Sequence, residues 1–582
     1  MENVSRPHGG IFWSLLLIHA VLLAVSARLN FVTIDEIGYI PSGLSHWQTD
    51  GFSWYCVNPP LPRMVATLPL LLASPQTHYD AKPEAPGERR EWIAGPQFAA
   101  DNATNYFDLV YLSRWAGIAW SMLGGWLVCR WAGELYGARA GYLSLVLWCF
   151  GPNILAHAQL ITPDIPATVA GFAATYAFWH YLRRPSWTRA WFAGLLLGLA
   201  ESTKFTLLVL YAVWPVLSLL YAWNPDARGR SPPSWRTRLG HAFLVFGLSI
   251  SVINLGYAFT NTGWRLGEFA FVSRLFAGAS LDDGHGNRFD GGWLGHVPVP
   301  LPADYVRGID VQRRDFESGW LCYLAGEWRS PGWWYFYLYA LCVKTPLGTL
   351  FLVATALMLT LRRHRVCAAW RDELSVWLPV AAILILVGSQ TGLQCLRYAL
   401  PVAPFAFVGA GQLARFWQRG RWKIGVGAFV LLGGAALSSM SVYPHSLAYF
   451  NEAVGGPAQG HAHLVDSNLD WGQDLLRLKD WIDRHPEARP LHVACFTHLD
   501  PHLAGIDFQL PPLSPSRKSE ATLEPGYYAV SINYVQGMAF PVPNAQGRFR
   551  RIPVDALGYF RRYRPFAQVG YTLFIYHITK TP

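Results

Sequence analysis

From Ile11 to Val442 the chain returns repeatedly to apolar runs separated by short basic clusters. A bilayer crossing takes about 20 apolar residues. Lipid offers no partner to backbone polar groups, so such runs must become helices. About eleven spans are read: Ile11–Val32, Val110–Cys129, Gly141–Ala156, Ile165–Leu182, Ala190–Ala200, Phe205–Trp223, Leu239–Phe259, Trp333–Leu361, Leu374–Val387, Tyr398–Leu413 and Ile424–Val442. Two of them are short for a full crossing. Ala190–Ala200 and Phe205–Trp223 read either as two helices or as one long bent helix.

Composition agrees. Of 582 residues, 52% are hydrophobic and only 14% charged, against about 25% charged in soluble proteins. The 27 Trp suit aromatic belts at the two interfaces. The net charge of +10 is carried by clusters between the runs, which makes it a topology signal rather than a nucleic-acid footprint. The clusters are Arg130/Arg139, Arg183/Arg184/Arg189, Arg228/Arg230/Arg236/Arg238, Arg362/Arg363/Arg365/Arg371 and Arg415/Arg419/Arg421/Lys423. The positive-inside rule puts all five in the cytoplasm together with Arg6 and the N-terminus. The expectation is an α-helical, multi-pass protein of a plasma or inner membrane.

Alternate connections then face outward: 34–105, 260–330, and everything after about Tyr443. The first run has a passable cleavage site at Val25-Ser26-Ala27, but it continues with little polar spacing and reads as a retained anchor. After the last span the pattern changes. "DLLRLKDWIDRH" spaces Leu475, Leu478 and Ile482 as one helix face. "LHVACF", "YYAVSINYV" and "YTLFIYHI" read as strands. The chain divides into a membrane domain, 1–445, and a small extracytoplasmic α/β domain, 446–582. None of the eight cysteines forms a C-x-x-C pair, so no zinc or redox motif is present.

Where the first run meets water stands "NFVTIDEIGYIPSG", with Asp35 and Glu36 side by side. Asp164, between Pro163 and Pro166, is a second acid at the edge of an apolar run. An ionisable residue there marks a functional cavity or caps a helix. Cations keep them company on the outward side: Arg63, Arg114, Lys204, Lys344 and Arg397. Singly they snorkel, except Lys344, whose neighbours leave little room for it; together they suit an anionic, lipid-linked ligand, since Arg grips phosphate oxygens with paired donors and Lys adds a point charge. In "DSNLDWGQDL", Asp470 or Asp474 caps the helix that follows, or Asp466, Asn468 and Trp471 face a site entrance.

These residues carry a resemblance. Asp35-Glu36 after the first run, "NPPL" at Asn58–Leu61, "TPD" ending at Asp164, "TKF" at Thr203–Phe205, "KTPLG" at Lys344–Gly348 and "RYALP" at Arg397–Pro401 resemble the protein O-mannosyltransferase superfamily of GT-C glycosyltransferases. "YFNEAVGGP" and "DSNLDWGQDL" resemble its bacterial subgroup. The resemblance implies the GT-C fold and transfer of a sugar from a polyprenyl-phosphate carrier to a protein or glycolipid acceptor at the extracytoplasmic face. It implies Asp35 as catalytic base, Glu36 as orienter of acceptor or sugar, and Asp164 beside them. It implies Arg63, Arg114, Lys204, Lys344, Arg397 and the adjacent Tyr398 on the substrate side, with Arg397 foremost at the leaving phosphate. No dedicated metal motif is present, although carboxylate pairs elsewhere in the fold hold divalent ions. Rival readings are a transporter, whose buried charges and broken helices look similar, and a non-catalytic membrane scaffold.

Overall fold

The computed structural model describes residues 9–49, 51–79, 85–223, 234–278, 284–418, 420–514 and 523–579. The basic positions Arg6, Arg228, Arg230 and Arg419, read above as topology signals, lie outside the described residues. The molecule is mostly helical. Among the described residues five segments are long and apolar enough to cross a bilayer: Gly10–Leu29 (α1), Phe205–Ala222, Trp235–Gly256, Trp370–Ser389 and Trp422–Val442. It is an integral membrane protein.

Short helices α2 (Glu36–Gln48), α3 (Leu61–Thr67) and α4 (Glu91–Asp101) follow α1. They occupy much of the connection 34–105. The expected span Val110–Cys129 lies within α5 (Tyr106–Tyr136), a 31-residue helix. At 1.5 Å per residue it is about 46 Å long, well beyond the hydrocarbon core. Gly141–Ala156 is interrupted: α6 (Ala138–Cys149) stops before Gly151-Pro152, and a separate turn of helix runs Pro152–Ala158. Pro152 begins that turn as an N-terminal residue, where its missing N–H costs nothing. The span expected over Ile165–Leu182 is α7 (Asp164–Arg183).

Next come α8 (Trp187–Glu201), a 3-10 stretch Phe205–Val209 and α9 (Leu210–Trp223). Lys204 between them is extended at φ −159°, so the stretch is two elements rather than one bent helix. α10 (Trp235–Gly256) packs on α8. The amphipathic helix α11 (Ala303–Glu317) lies in the long connection 260–330. The expected run Trp333–Leu361 divides into α12 (Phe336–Lys344) and α13 (Leu347–Leu361). Thr345, before Pro346, is extended at ψ 135°, as the proline ring requires of its predecessor. α14 (Trp370–Ser389), a 3-10 stretch Leu396–Val402 with α15 (Ala403–Gly411), and α16 (Trp422–Val442) complete the bundle. Its core is aromatic: the Trp131 ring lies 5.0 Å from Phe172 and 6.0 Å from Phe405.

After α16 the chain forms α17 (Leu475–Arg484), which buries Leu475, Leu478, Trp481 and Ile482. A four-stranded sheet follows, built from β1 (Leu491–Ala494), β2 (Gly526–Ser531), β3 (Ala567–Val569) and β4 (Leu573–Ile578) in the order β1-β2-β4-β3. β1 and β2 are parallel, with Leu491 opposite Tyr527; β4 runs antiparallel to both neighbours. This sheet and the membrane bundle share one core, in which Phe31, Ile37 and Ile40 pack with Leu478, Val493 and Ile575. The chain after α1 is strapped to this region by two backbone bonds, Phe31 N–H to Gln473 O at 2.8 Å and Ile34 N–H to Trp471 O at 3.1 Å.

Candidate functional site

The strap fixes where Asp35 stands. Residues 31–34 run beside Trp471–Gln473, and α2 begins at once, with Asp35 at its N-cap. Gly472 in this partner segment sits at φ +92° and lies tightly on Phe496, whose O a Cβ would approach to 2.5 Å. Only glycine adopts that conformation freely.

Asp35 and Glu36 point into different surroundings. The Asp35 carboxylate remains partly exposed and accepts a 2.5 Å bond from Arg397 Nη1. Glu36 is wholly buried. Its Oε1 accepts from Arg114 Nε at 2.9 Å and Ile161 N–H at 3.2 Å. Its Oε2 accepts from Arg114 Nη2 at 2.6 Å and from the Thr33 N–H and hydroxyl, each at 2.9 Å. Arg114 is equally occupied: Nη1 donates to Ala27 O and Asn30 O, and Nη2 also to Phe31 O. A guanidinium has five N–H donors, and all five are taken. Glu36 and Arg114 thus form a sealed clamp on the end of α1 and leave no group for a substrate.

Arg397 occupies the centre of the open part. Its guanidinium lies 4.5 Å above the Trp471 ring and 5.4 Å from the ring of its neighbour Tyr398. Its Nε has no hydrogen-bond partner. Tyr398 also receives the Lys204 ammonium, 4.5 Å from its ring centre. Lys204 donates to Asp164 Oδ1 at 2.6 Å, whereas Asp164 Oδ2 has no partner. Two acid–base pairs, Asp35–Arg397 and Asp164–Lys204, therefore flank one tyrosine ring. Open valences remain on Arg397 and Asp164.

The other two cations hold backbone. Arg63, 1% exposed, donates to Tyr55 O and Asn58 O, meets His46 Nε2 at 2.9 Å and covers the Tyr55 ring. It braces the turn in which Asn58 takes φ +65°. Lys344 donates to Leu447 O at 2.7 Å and to Asn468 O, and so anchors the segment after α16.

That segment answers the question left by "DSNLDWGQDL". Asp474 occupies the N-cap position of α17, but its carboxylate is committed to Arg477 at 2.7 Å and Thr572 at 2.9 Å. Asp470 accepts from Gly472 N–H at 2.9 Å and Ser531 Oγ at 2.5 Å. Asn468 accepts from Leu396 N–H at 2.8 Å, one residue before Arg397. Trp471 forms the floor under Arg397. His157, which the sequence did not single out, lies edge-on to Trp471 at 6.1 Å with Nδ1 unpartnered. Its one sequence signal is position, a turn-rich seven residues before Asp164.

Burial pushes the Asp470 carboxyl up to about 7 and, with Arg397 working the opposite way, Asp466 up to about 6. A folded-state value above the unfolded one of about 3.9 means that the folded protein holds the Asp470 proton more tightly. Its stabilising contribution is full below about pH 4 and is lost as pH rises to about 7. Relative to Asp470→Asn, the wild type is expected to lose up to about 4 kcal/mol of stability between pH 4 and pH 8. Thermal unfolding of both proteins in detergent across that range measures this. A wild-type-to-variant gap that ignores pH would show that Asp470 titrates alike in the folded and unfolded protein.

Among the described residues no three His, Cys, Asp or Glu side chains gather as a metal site would need. The three candidate carboxylates each face a cation. This donor set does not fit a divalent ion.

Residues 112–257 match the family described as dolichyl-phosphate-mannose-protein mannosyltransferase. Arg114, Asp164 and Lys204 fall within that match. No curated protein matches the chain. Among solved structures it is similar to ArnT from Cupriavidus metallidurans in the apo state, at 12% identity over 97% of this chain and 96% of that one, TM-score 0.47. It is also similar to the same protein bound to undecaprenyl phosphate, at 12% identity over 97% and 98%, TM-score 0.41. A third is the archaeal oligosaccharyltransferase AglB from Archaeoglobus fulgidus in complex with an inhibitory peptide and a dolichol-phosphate, at 11% identity over 93% and 74%, TM-score 0.41.

Proposed function

Starting from a chain related to the mannosyltransferases over residues 112–257, we propose an inverting glycosyltransferase. It moves a sugar from a polyprenyl-phosphate carrier to a hydroxyl of a protein or an envelope glycolipid at the extracytoplasmic face. The membrane domain, 1–445, keeps about eleven spans with the N-terminus in the cytoplasm, and 446–582 lies outside.

The observation that carries this reading is the Asp35–Arg397 pair: a partly exposed carboxylate at the mouth of the first span, bonded to an arginine whose Nε is unoccupied. In the free protein each group satisfies the other. A donor phosphate competes for Arg397, because paired guanidinium–phosphate bonds are strong and directional. Asp35 is then released as a base. It takes the proton of the acceptor hydroxyl as that oxygen bonds to the anomeric carbon. The bond from that carbon to the phosphate oxygen breaks, and its electron pair leaves with the polyprenyl phosphate. Arg397 and Lys204 stand ready for the added negative charge, which lowers the barrier. One displacement on the face opposite the leaving group inverts the centre.

Comparing envelope proteins and glycolipids by mass spectrometry, with and without the gene, is expected to show one glycan lost; an unchanged inventory would end the proposal. With purified protein, Arg397→Gln is expected to lower the transfer rate about 10²-fold. A rate within threefold of wild type would remove Arg397 from the leaving-group role.

A further inference from the structure

A well-formed hollow lies away from Asp35. A cavity of about 940 Å³ opens between α9 and α10 and reaches α7 and α14. It lies at the Arg183 end of α7, whereas Asp164 begins that helix. Twenty residues at 1.5 Å each separate the two ends by about 30 Å, one hydrocarbon thickness.

The walls are of two kinds. The interior is apolar and aromatic, with Phe178, Leu197 and Trp214. The rim carries Arg183, Arg184, Arg238 and Arg371. Arg183 lies over the Trp179 ring at 4.8 Å and Arg371 over Tyr221 at 5.4 Å, so both heads are held rather than loose. Asp372 also lines the cavity, but its Oδ1 is turned onto Trp179 Nε1 at 2.8 Å and Tyr221 OH at 2.9 Å. His241, 2% exposed, meets Tyr181 OH through Nδ1 and leaves Nε2 without a partner. The flanks open to the side: Leu219 of α9 is 68% exposed and Phe246 of α10 is 54% exposed. α10 packs on α8 and α9 on α14, and the exposed apolar faces of α9 and α10 flank the cavity.

An apolar slot open to lipid, rimmed by four arginines at headgroup depth, has the chemistry of a lipid with a phosphate head. We propose that this cavity seats one anionic phospholipid of the leaflet at that end. Its tail lies between α9 and α10, and its phosphate lies on the arginine rim. The site is separate from Asp35 and does not rest on the glycosyl-transfer reading.

The test is native mass spectrometry of the full chain in detergent, titrated with phosphatidylglycerol, with phosphatidylcholine of the same tails, and with inorganic phosphate. One phosphatidylglycerol is expected to stay bound in preference to phosphatidylcholine, with inorganic phosphate failing to displace it. Each arginine near a phosphate is worth about fivefold, so Arg183→Gln with Arg184→Gln should weaken retention about thirtyfold. Ser218→Trp, which fills the tail space, should abolish it, and Arg362→Gln on another basic connection should leave it unchanged. Equal retention of the two lipids, displacement by phosphate alone, or undiminished binding in both cavity variants would overturn the proposal.

Discussion

Asp35→Asn is expected to abolish most sugar transfer while leaving the protein folded and inserted. The amide has nearly the same shape and still offers Arg397 an acceptor oxygen. It cannot take a proton. Positioned bases are worth about 10²–10⁴ in rate, and a loss of about 10³ is expected in an assay with labelled polyprenyl-phosphate sugar. The structural cost should be small. The Arg397 and Asp35 side chains are 12% and 18% exposed, so water still screens the guanidinium in part, and the amide oxygen keeps a hydrogen bond to it. Unfolding temperature and elution profile should therefore match the wild type. The same variant separates the rival readings. A scaffold would be indifferent to it, and a transporter would show altered flux in liposomes with no covalent product to lose. Transfer within threefold of wild type would remove Asp35 as the base.

Two adjacent acids look alike in a sequence, and the structure gives them opposite surroundings. Consecutive residues at a helix start diverge by about 100°, so one carboxylate meets Arg397 and the other meets Arg114. Nothing in "IDEIG" says which is which, because the partners lie 362 and 78 residues away. The cations were legible as a group and not as individuals. Lys344 in "LCVKTPLG" stands out because it cannot snorkel, yet its ammonium serves the carbonyls of Leu447 and Asn468, positions that no local pattern links to it. Arg63 reads as a substrate-side cation from its place among the outward charges; its guanidinium braces the turn at Tyr55 and Asn58. Apolar periodicity placed most helices within a few residues. It fused α12 and α13 because a hydropathy run does not see that Pro346 resets the backbone. β3 has three residues, too few for an alternating pattern to emerge. His157 and the Trp471 floor depend on contacts between distant segments, which one sequence does not contain.

Breaking the Glu36–Arg114 clamp should have the largest effect on stability. Both side chains are 0% exposed, and removing one partner of a buried pair leaves an uncompensated charge, at a cost of about 3–5 kcal/mol. Arg114→Met also orphans the carbonyls of Ala27, Asn30 and Phe31. For the same reason the double variant Glu36→Leu/Arg114→Met should recover only part of the loss: the charges vanish together, but each orphaned carbonyl still costs about 1–3 kcal/mol. Thermal unfolding in detergent ranks the three proteins. Activity then separates positioning from binding. Those carbonyls mark the end of α1 from which the chain runs to Asp35, so any folded Arg114→Met protein should lose kcat through a misplaced base and keep its KM for the lipid-linked donor. An unfolding temperature near wild type together with a raised donor KM would return Arg114 to the substrate.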